Sequence, residues 1–166
     1  MNMNTPIRPF LSAAMILAVS AFALSGASAD GNHFFAPVAD KLTANECGSC
    51  HMAFPPSMLP AASWQKMMGQ LDQHFGEDAS IDADTAALIT RYLSSNAGDA
   101  SGLRFSGKLL RDIAPGAAPQ RITELPRWKR EHRKISAAEW ADPKVQSKAN
   151  CGACHTDAER GYFDDD

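Results

Sequence analysis

Apolar positions in this chain recur three and four residues apart, and no stretch shows the apolar–polar alternation of a half-buried strand. Trp64, Met67, Met68, Leu71, His74 and Phe75 fall at helical spacing after Ser63, whose hydroxyl suits an N-cap, and Gly76 follows as a stop. The spacing therefore predicts a helix over 63–75. A second helix is expected over 83–95, capped by Asp82, with Ala86, Ile89, Tyr92 and Leu93 as its apolar stripe. Over 97–125 the pattern breaks. Gly98, Gly102, Gly107 and Gly116, with Pro115 and Pro119, read as a linker holding one helical turn over 108–113. Pro126 suits the first turn of a helix running to Lys134. Ser136-Ala137-Ala138-Glu139 has the spacing of a capping box, and Asp142-Pro143 ends the short helix it opens.

The N-terminus changes the picture. Arg8 is the only charge before an apolar run over 10–24, and Ser25-Gly26-Ala27-Ser28-Ala29 ends in an Ala-x-Ala site. Charged, apolar and small parts in that order are the pattern of a secretory signal peptide over 1–29, and the run is short for a bilayer span. Cleavage after Ala29 leaves a 137-residue chain beginning at Asp30. Such a chain is expected in an oxidising compartment, the bacterial periplasm. A small exported chain usually needs a staple, whether disulfides, a metal or a cofactor.

Charge divides the mature chain into three blocks. Residues 30–98 carry three basic against eight acidic side chains, residues 99–150 eleven against six, and residues 151–166 one against five. The whole is mildly acidic, which argues against a nucleic-acid partner. The basic block, with Arg127, Lys129, Arg130, Arg133 and Lys134, reads either as a solvated helix face or as a docking patch or counter-charge for the acid groups of a cofactor.

The four cysteines decide what the staple is. They stand in Cys47-Gly48-Ser49-Cys50-His51 and Cys151-Gly152-Ala153-Cys154-His155. Cysteines three apart on one helical turn face the same way, so both thiols can add to the vinyl groups of one porphyrin. The adjacent histidine then lies under the ring as an axial ligand. Zinc does not require a histidine directly after each cysteine pair, so no zinc is expected. A thioredoxin-like disulfide belongs in a βαβ context that this sequence lacks, and structural disulfides across so short a loop stabilise little. Cys47, Cys50, Cys151 and Cys154 are thus expected to attach two haem c groups covalently, with His51 and His155 on the irons.

The sixth ligand decides between electron transfer and small-ligand chemistry. The mature chain offers Met52, Met58, Met67 and Met68, and His33, His74 and His132. After Met68 there is no further methionine, so His132, 23 residues before His155, is the nearest candidate for the second haem. His74 stands 23 residues after His51 on the apolar stripe of the helix expected there, with Met67 or Met58 as rivals and His33 left over.

Beyond the haem motifs, the chain carries Pro55-Pro56-Ser57-Met58-Leu59-Pro60, Ser63-Trp64 and Leu71-Asp72-Gln73-His74-Phe75-Gly76-Glu77-Asp78-Ala79-Ser80. Further on come Arg121-Ile122-Thr123-Glu124-Leu125-Pro126-Arg127-Trp128, Glu131-His132-Arg133 and Ala149-Asn150 before the second motif. In these segments, from about residue 45 to 155, it resembles the dihaem cytochrome c family. The resemblance implies a small periplasmic protein with two bis-histidine haems, His51 and His74 on one iron and His155 and His132 on the other. It also implies electron transfer between a membrane cytochrome b and a small soluble monohaem c-type cytochrome. The acidic end, Asp164-Asp165-Asp166, matches nothing in the family. The expected fold is mostly α, with a cytochrome-c-like N-terminal haem lobe over 30–98 and a smaller irregular helical haem lobe over 99–166. The expected role is an electron carrier rather than an enzyme. The alternative is a dihaem peroxidase or small-ligand reductase with one five-coordinate iron.

Overall fold

The structure is a computed structural model that describes Met1 and residues 34–100, 102 and 104–164. The rest of the expected signal peptide, His33, Asp165 and Asp166 lie outside the described residues. Among those described there are six α-helices and several 3-10 turns, with isolated β-bridges in place of strands. The fold is mostly α, as the periodicity predicts.

Three of the helices start where a local side chain satisfies free N–H groups. The Asp40 carboxylate accepts the Thr43 N–H at 2.8 Å and the Thr43 hydroxyl at 2.7 Å, opening α1 (Lys41–Cys47). Asp82 accepts the Thr85 N–H at 2.9 Å and opens α3 (Ala83–Ser95), the helix expected there. α4 spans Arg104–Leu110 and α5 spans Pro126–Glu131, with a 3-10 turn over His132–Lys134 completing the segment expected as helix. Both halves of the capping box are made at α6 (Ala137–Trp140), since Ser136 Oγ accepts the Glu139 N–H and Glu139 accepts the Ser136 N–H.

Two expected elements differ. The helix predicted over 63–75 is α2 (Ala61–Met68) followed by a 3-10 turn, Leu71–Gln73. Pro60 sets its start, and the Asp99 carboxylate accepts the Ala61 N–H at 2.9 Å, so no side-chain cap is needed at Ser63, which is buried. Gly69 ends it as C-cap, its N–H bonding the Gln65 carbonyl at 3.1 Å. His74 therefore lies beyond the helix, in a turn, and does not share a helical face with Met67. In the second case, the turn expected over 108–113 lies earlier, in α4. Gly107 is tolerated inside that helix, which buries Ser106 and Leu109.

One hydrophobic core runs through the described residues. Leu59 and Trp64 pack with Ile89, Leu93 and Ala97 where α2 lies on α3, and Leu109 and Leu125 join them from the segment expected as a linker. The Trp64 indole donates to the Pro56 carbonyl at 2.7 Å, which satisfies its buried polar edge. Gly98 donates to the Leu59 carbonyl at 3.0 Å, and a Cβ there would run into the Ser57 carbonyl and the Leu110 side chain. The two ends of the described chain meet as well. Phe35 donates to the Gly161 carbonyl at 2.8 Å, with Gly161 in the left-handed region at φ 88°. Leu125 is wholly buried, so Leu125→Ala should cost about 2–5 kcal/mol in urea unfolding of the holoprotein. A loss well under 1 kcal/mol would show that the core does not depend on this join.

Candidate haem sites

α1 ends on Cys47, which is half-buried against the core, and Cys50 follows three residues later, exposed. The second motif has the same layout on a 3-10 turn, Cys151–Ala153, with Cys151 half-buried and Cys154 exposed. None of the four is paired in a disulfide. Burial, then the neighbouring Glu46 charge, pushes the Cys47 thiol upward, and burial pushes Cys151 up to about 11. Among the described residues no three or more His, Cys, Asp and Glu side chains converge as a metal cage. The two motifs are not pooled into one four-ligand centre.

The four expected histidines stand in two pairs. His51 and His74 have ring centres 6.2 Å apart with planes 16° from parallel. His132 and His155 have ring centres 6.1 Å apart with planes at 79°. A first-row metal takes an imidazole nitrogen at about 2.0 Å and the ring centre lies about 1.1 Å behind it, so imidazoles on opposite sides of one ion have centres about 6 Å apart. Both pairs fit that separation, and each includes the histidine of a cysteine motif. The donor set fits two haem groups, with two thiols and two imidazoles for each.

Three of these rings are oriented through Nδ1. His51 Nδ1–H donates to the Met52 carbonyl at 2.7 Å, His132 to the Trp128 carbonyl at 2.9 Å and His155 to the Asp164 carbonyl at 3.0 Å. A carbonyl oxygen only accepts, so the proton sits on Nδ1 and the Nε2 lone pair is left for iron. Burial, then the His51 ring and the Arg121 charge, lowers the pKa of His74, which favours its neutral, ligating form. His74 follows the 3-10 turn Leu71–Gln73 and precedes Phe75 at φ 56°, uncommon for a bulky residue, and Gly76 at φ 109°. The Phe75 ring lies 4.7 Å from His74 and carries the Arg121 guanidinium at 4.0 Å.

The rival methionines are packed with the core. Met58 is buried in the core, and Met67 and Met68 pack against it. Sequence reading singled out no aromatic partner for these histidines. Phe54 stands 5.2 Å from His51, Phe163 5.8 Å from His155, and Trp128 is stacked on His132 at 4.1 Å. Trp128 was visible in principle, because it precedes His132 by four residues on one helical segment. Asp164, whose role the sequence leaves open, reaches the second site through its backbone carbonyl.

A family model described as dihaem cytochrome c matches residues 43–163 of this chain. The chain belongs to the dihaem cytochrome c family. It is similar to the solved diheme cytochrome c from Rhodobacter sphaeroides, at 46% identity over 77% of this chain and 99% of that one, with a TM-score of 0.70. A second structure, of DHC purified from Rhodobacter sphaeroides, is 44% identical over 76% and 99%, with a TM-score of 0.63. The diheme cytochrome type c from Shewanella baltica OS155 is 36% identical over 75% and 86%, with a TM-score of 0.61. No curated protein matches. A dihaem cytochrome c is an electron-transfer haem protein with two haem groups, and its fold is the one described above. Among the described residues no helix is long and apolar enough to cross a membrane.

Proposed function

We propose that this chain is a periplasmic electron carrier, exported by a cleaved signal peptide over 1–29. Cys47 and Cys50 hold one haem c covalently, and Cys151 and Cys154 hold the other. His51 and His74 ligate the first iron, and His155 and His132 the second. What supports this reading most is the spacing of the two histidine pairs, 6.2 and 6.1 Å between ring centres, which leaves room for one metal ion in each. The division into haem lobes over 30–98 and 99–166 belongs to the same reading, with helix α4 and Leu125 in the intervening segment packed into the shared core.

Bound haem supplies one-electron ferric–ferrous chemistry. The chain's own part would be to supply each iron with two oriented imidazoles, His51 and His74 at one and His155 and His132 at the other, which would keep small ligands off it and limit rearrangement on electron gain or loss. Two histidines rather than histidine and methionine favour low potentials. The partners proposed are a membrane cytochrome b as electron source and a small soluble monohaem c-type cytochrome as acceptor. The basic face of α5 and the turn after it supports docking to an acidic partner. Arg127 and Arg130 are already paired with Glu131 and Asp112 at 2.6 Å, so Lys129, Arg133 and Lys134 are the charges left for it.

The test is direct. The dithionite-reduced holoprotein, freed of reductant under argon and mixed in a stopped-flow spectrometer with an oxidised monohaem c-type cytochrome from the same periplasm, should give up two electrons per chain. A reduced spectrum that persists through the mixing would reject the carrier role for that pair.

A further inference from the structure

The two histidine pairs agree in separation but not in orientation, with planes 16° apart in one and 79° apart in the other. We propose that Trp128 is a positioning residue that holds the His132 ring across the plane of His155, giving the second haem a near-perpendicular pair of axial imidazoles while the first has a near-parallel pair. The inference rests on the bis-histidine ligation proposed above.

Trp128 constrains His132 twice. Its carbonyl oxygen accepts the Nδ1–H at 2.9 Å, and its indole stacks on the imidazole with ring centres 4.1 Å apart and planes 14° from parallel. Both follow from position, since residues four apart on a helical segment face the same side. The hydrogen bond fixes which ring edge points away from iron, and the stack fixes the plane. Trp140 holds the indole in turn, 5.8 Å from Trp128 and 6.3 Å from His132, with the Lys148 ammonium 5.3 Å from its ring centre. His155 has its own anchor on the Asp164 carbonyl at 3.0 Å. Among the described residues no indole is in ring contact with the first pair, where His51 is tied to the Met52 carbonyl and His74 leans on Phe75 at 56°.

An axial imidazole contains the iron–nitrogen bond in its plane, so the angle between ring planes is the angle between the two ligands' π systems. Each imidazole interacts with the iron d orbital perpendicular to its own plane. Parallel rings act on the same orbital and split the d pair. Crossed rings act on one each and leave the pair nearly degenerate, which makes the ferric ion's magnetism strongly anisotropic. Ring orientation is set by surrounding residues, which are among the protein's means of tuning a metal.

Low-temperature electron paramagnetic resonance of the oxidised holoprotein reads this out. Two low-spin ferric signals of equal weight are expected, one rhombic and one strongly anisotropic with its single resolved feature at low field. Trp128→Leu keeps the backbone carbonyl and removes the stack, so it should move the anisotropic signal toward the rhombic form and leave the other signal unchanged. Trp128→Phe keeps an aromatic face and should move the same signal less far. It serves as the test if the leucine variant yields no holoprotein. Two rhombic signals in the native protein would overturn the inference, and an anisotropic signal that shifts in neither variant would overturn the role of Trp128. A high-spin signal from the native protein is a different failure, because it would reject bis-histidine ligation itself.

Discussion

Replacing all four cysteines by alanine should leave a chain with no covalent haem and no stable helical fold. The helices are short. α3 has 13 residues and the others four to eight, whereas isolated helices below about 12–15 residues are marginal in water. Tertiary packing must therefore hold them, and the protein core available for it is small. Among the described residues eleven hydrophobic side chains are buried, two of them only alanines. Met67, Met68, Phe54 and Trp128 remain only partly buried against that core. These large apolar groups lie near the two histidine pairs or on the elements leading to them, where two porphyrins would supply the missing contact surface. Far-UV circular dichroism of the four-fold variant is the check, and a native-like helical signal would show that the protein core suffices. Changing one motif at a time adds resolution. Cys151→Ala with Cys154→Ala should retain one haem per chain by pyridine haemochrome assay.

Where one residue determines an element locally, the sequence was readable. Asp82 with the stripe Ala86, Ile89 and Leu93 defines α3, and Ser136 with Glu139 defines the start of α6, because each cap and its partner lie within one turn. α2 was misjudged because its start is set by Pro60 and by Asp99, 38 residues away, a contact that spacing does not reveal. Its end was misjudged because Gly69 stops the helix one element before Gly76 does. The pairing of histidines could be reached by inventory, since few candidates exist and each motif supplies one. His74 was expected on a helix face, yet it reaches His51 from a turn shaped by the positive φ of Phe75 and Gly76. The angle between the rings was beyond spacing altogether. It depends on carbonyl oxygens and an indole that act only once the backbone is in place.

Opening one iron should convert a closed carrier into a ligand-binding protein. His74→Gly removes the imidazole opposite His51, and His132→Gly the one opposite His155, each leaving the cysteines and the motif histidine intact. Glycine offers no side-chain donor in place of the imidazole. Each dithionite-reduced variant should therefore bind one equivalent of carbon monoxide per chain, seen as a shift of the Soret band, while the native protein binds none rapidly. Fast binding of carbon monoxide by the native protein would instead favour the peroxidase or small-ligand reductase reading, in which one iron is already five-coordinate. His74→Met separates occupancy from ligand identity. A thioether in place of the imidazole should keep the first site closed yet raise its potential, because histidine/methionine ligation favours ferrous iron more than two histidines do. Its redox titration should move one of two waves upward and leave the wave of the second haem in place. If both waves moved together, the potentials of the two sites would be coupled, and the effect could not be assigned to the first iron alone.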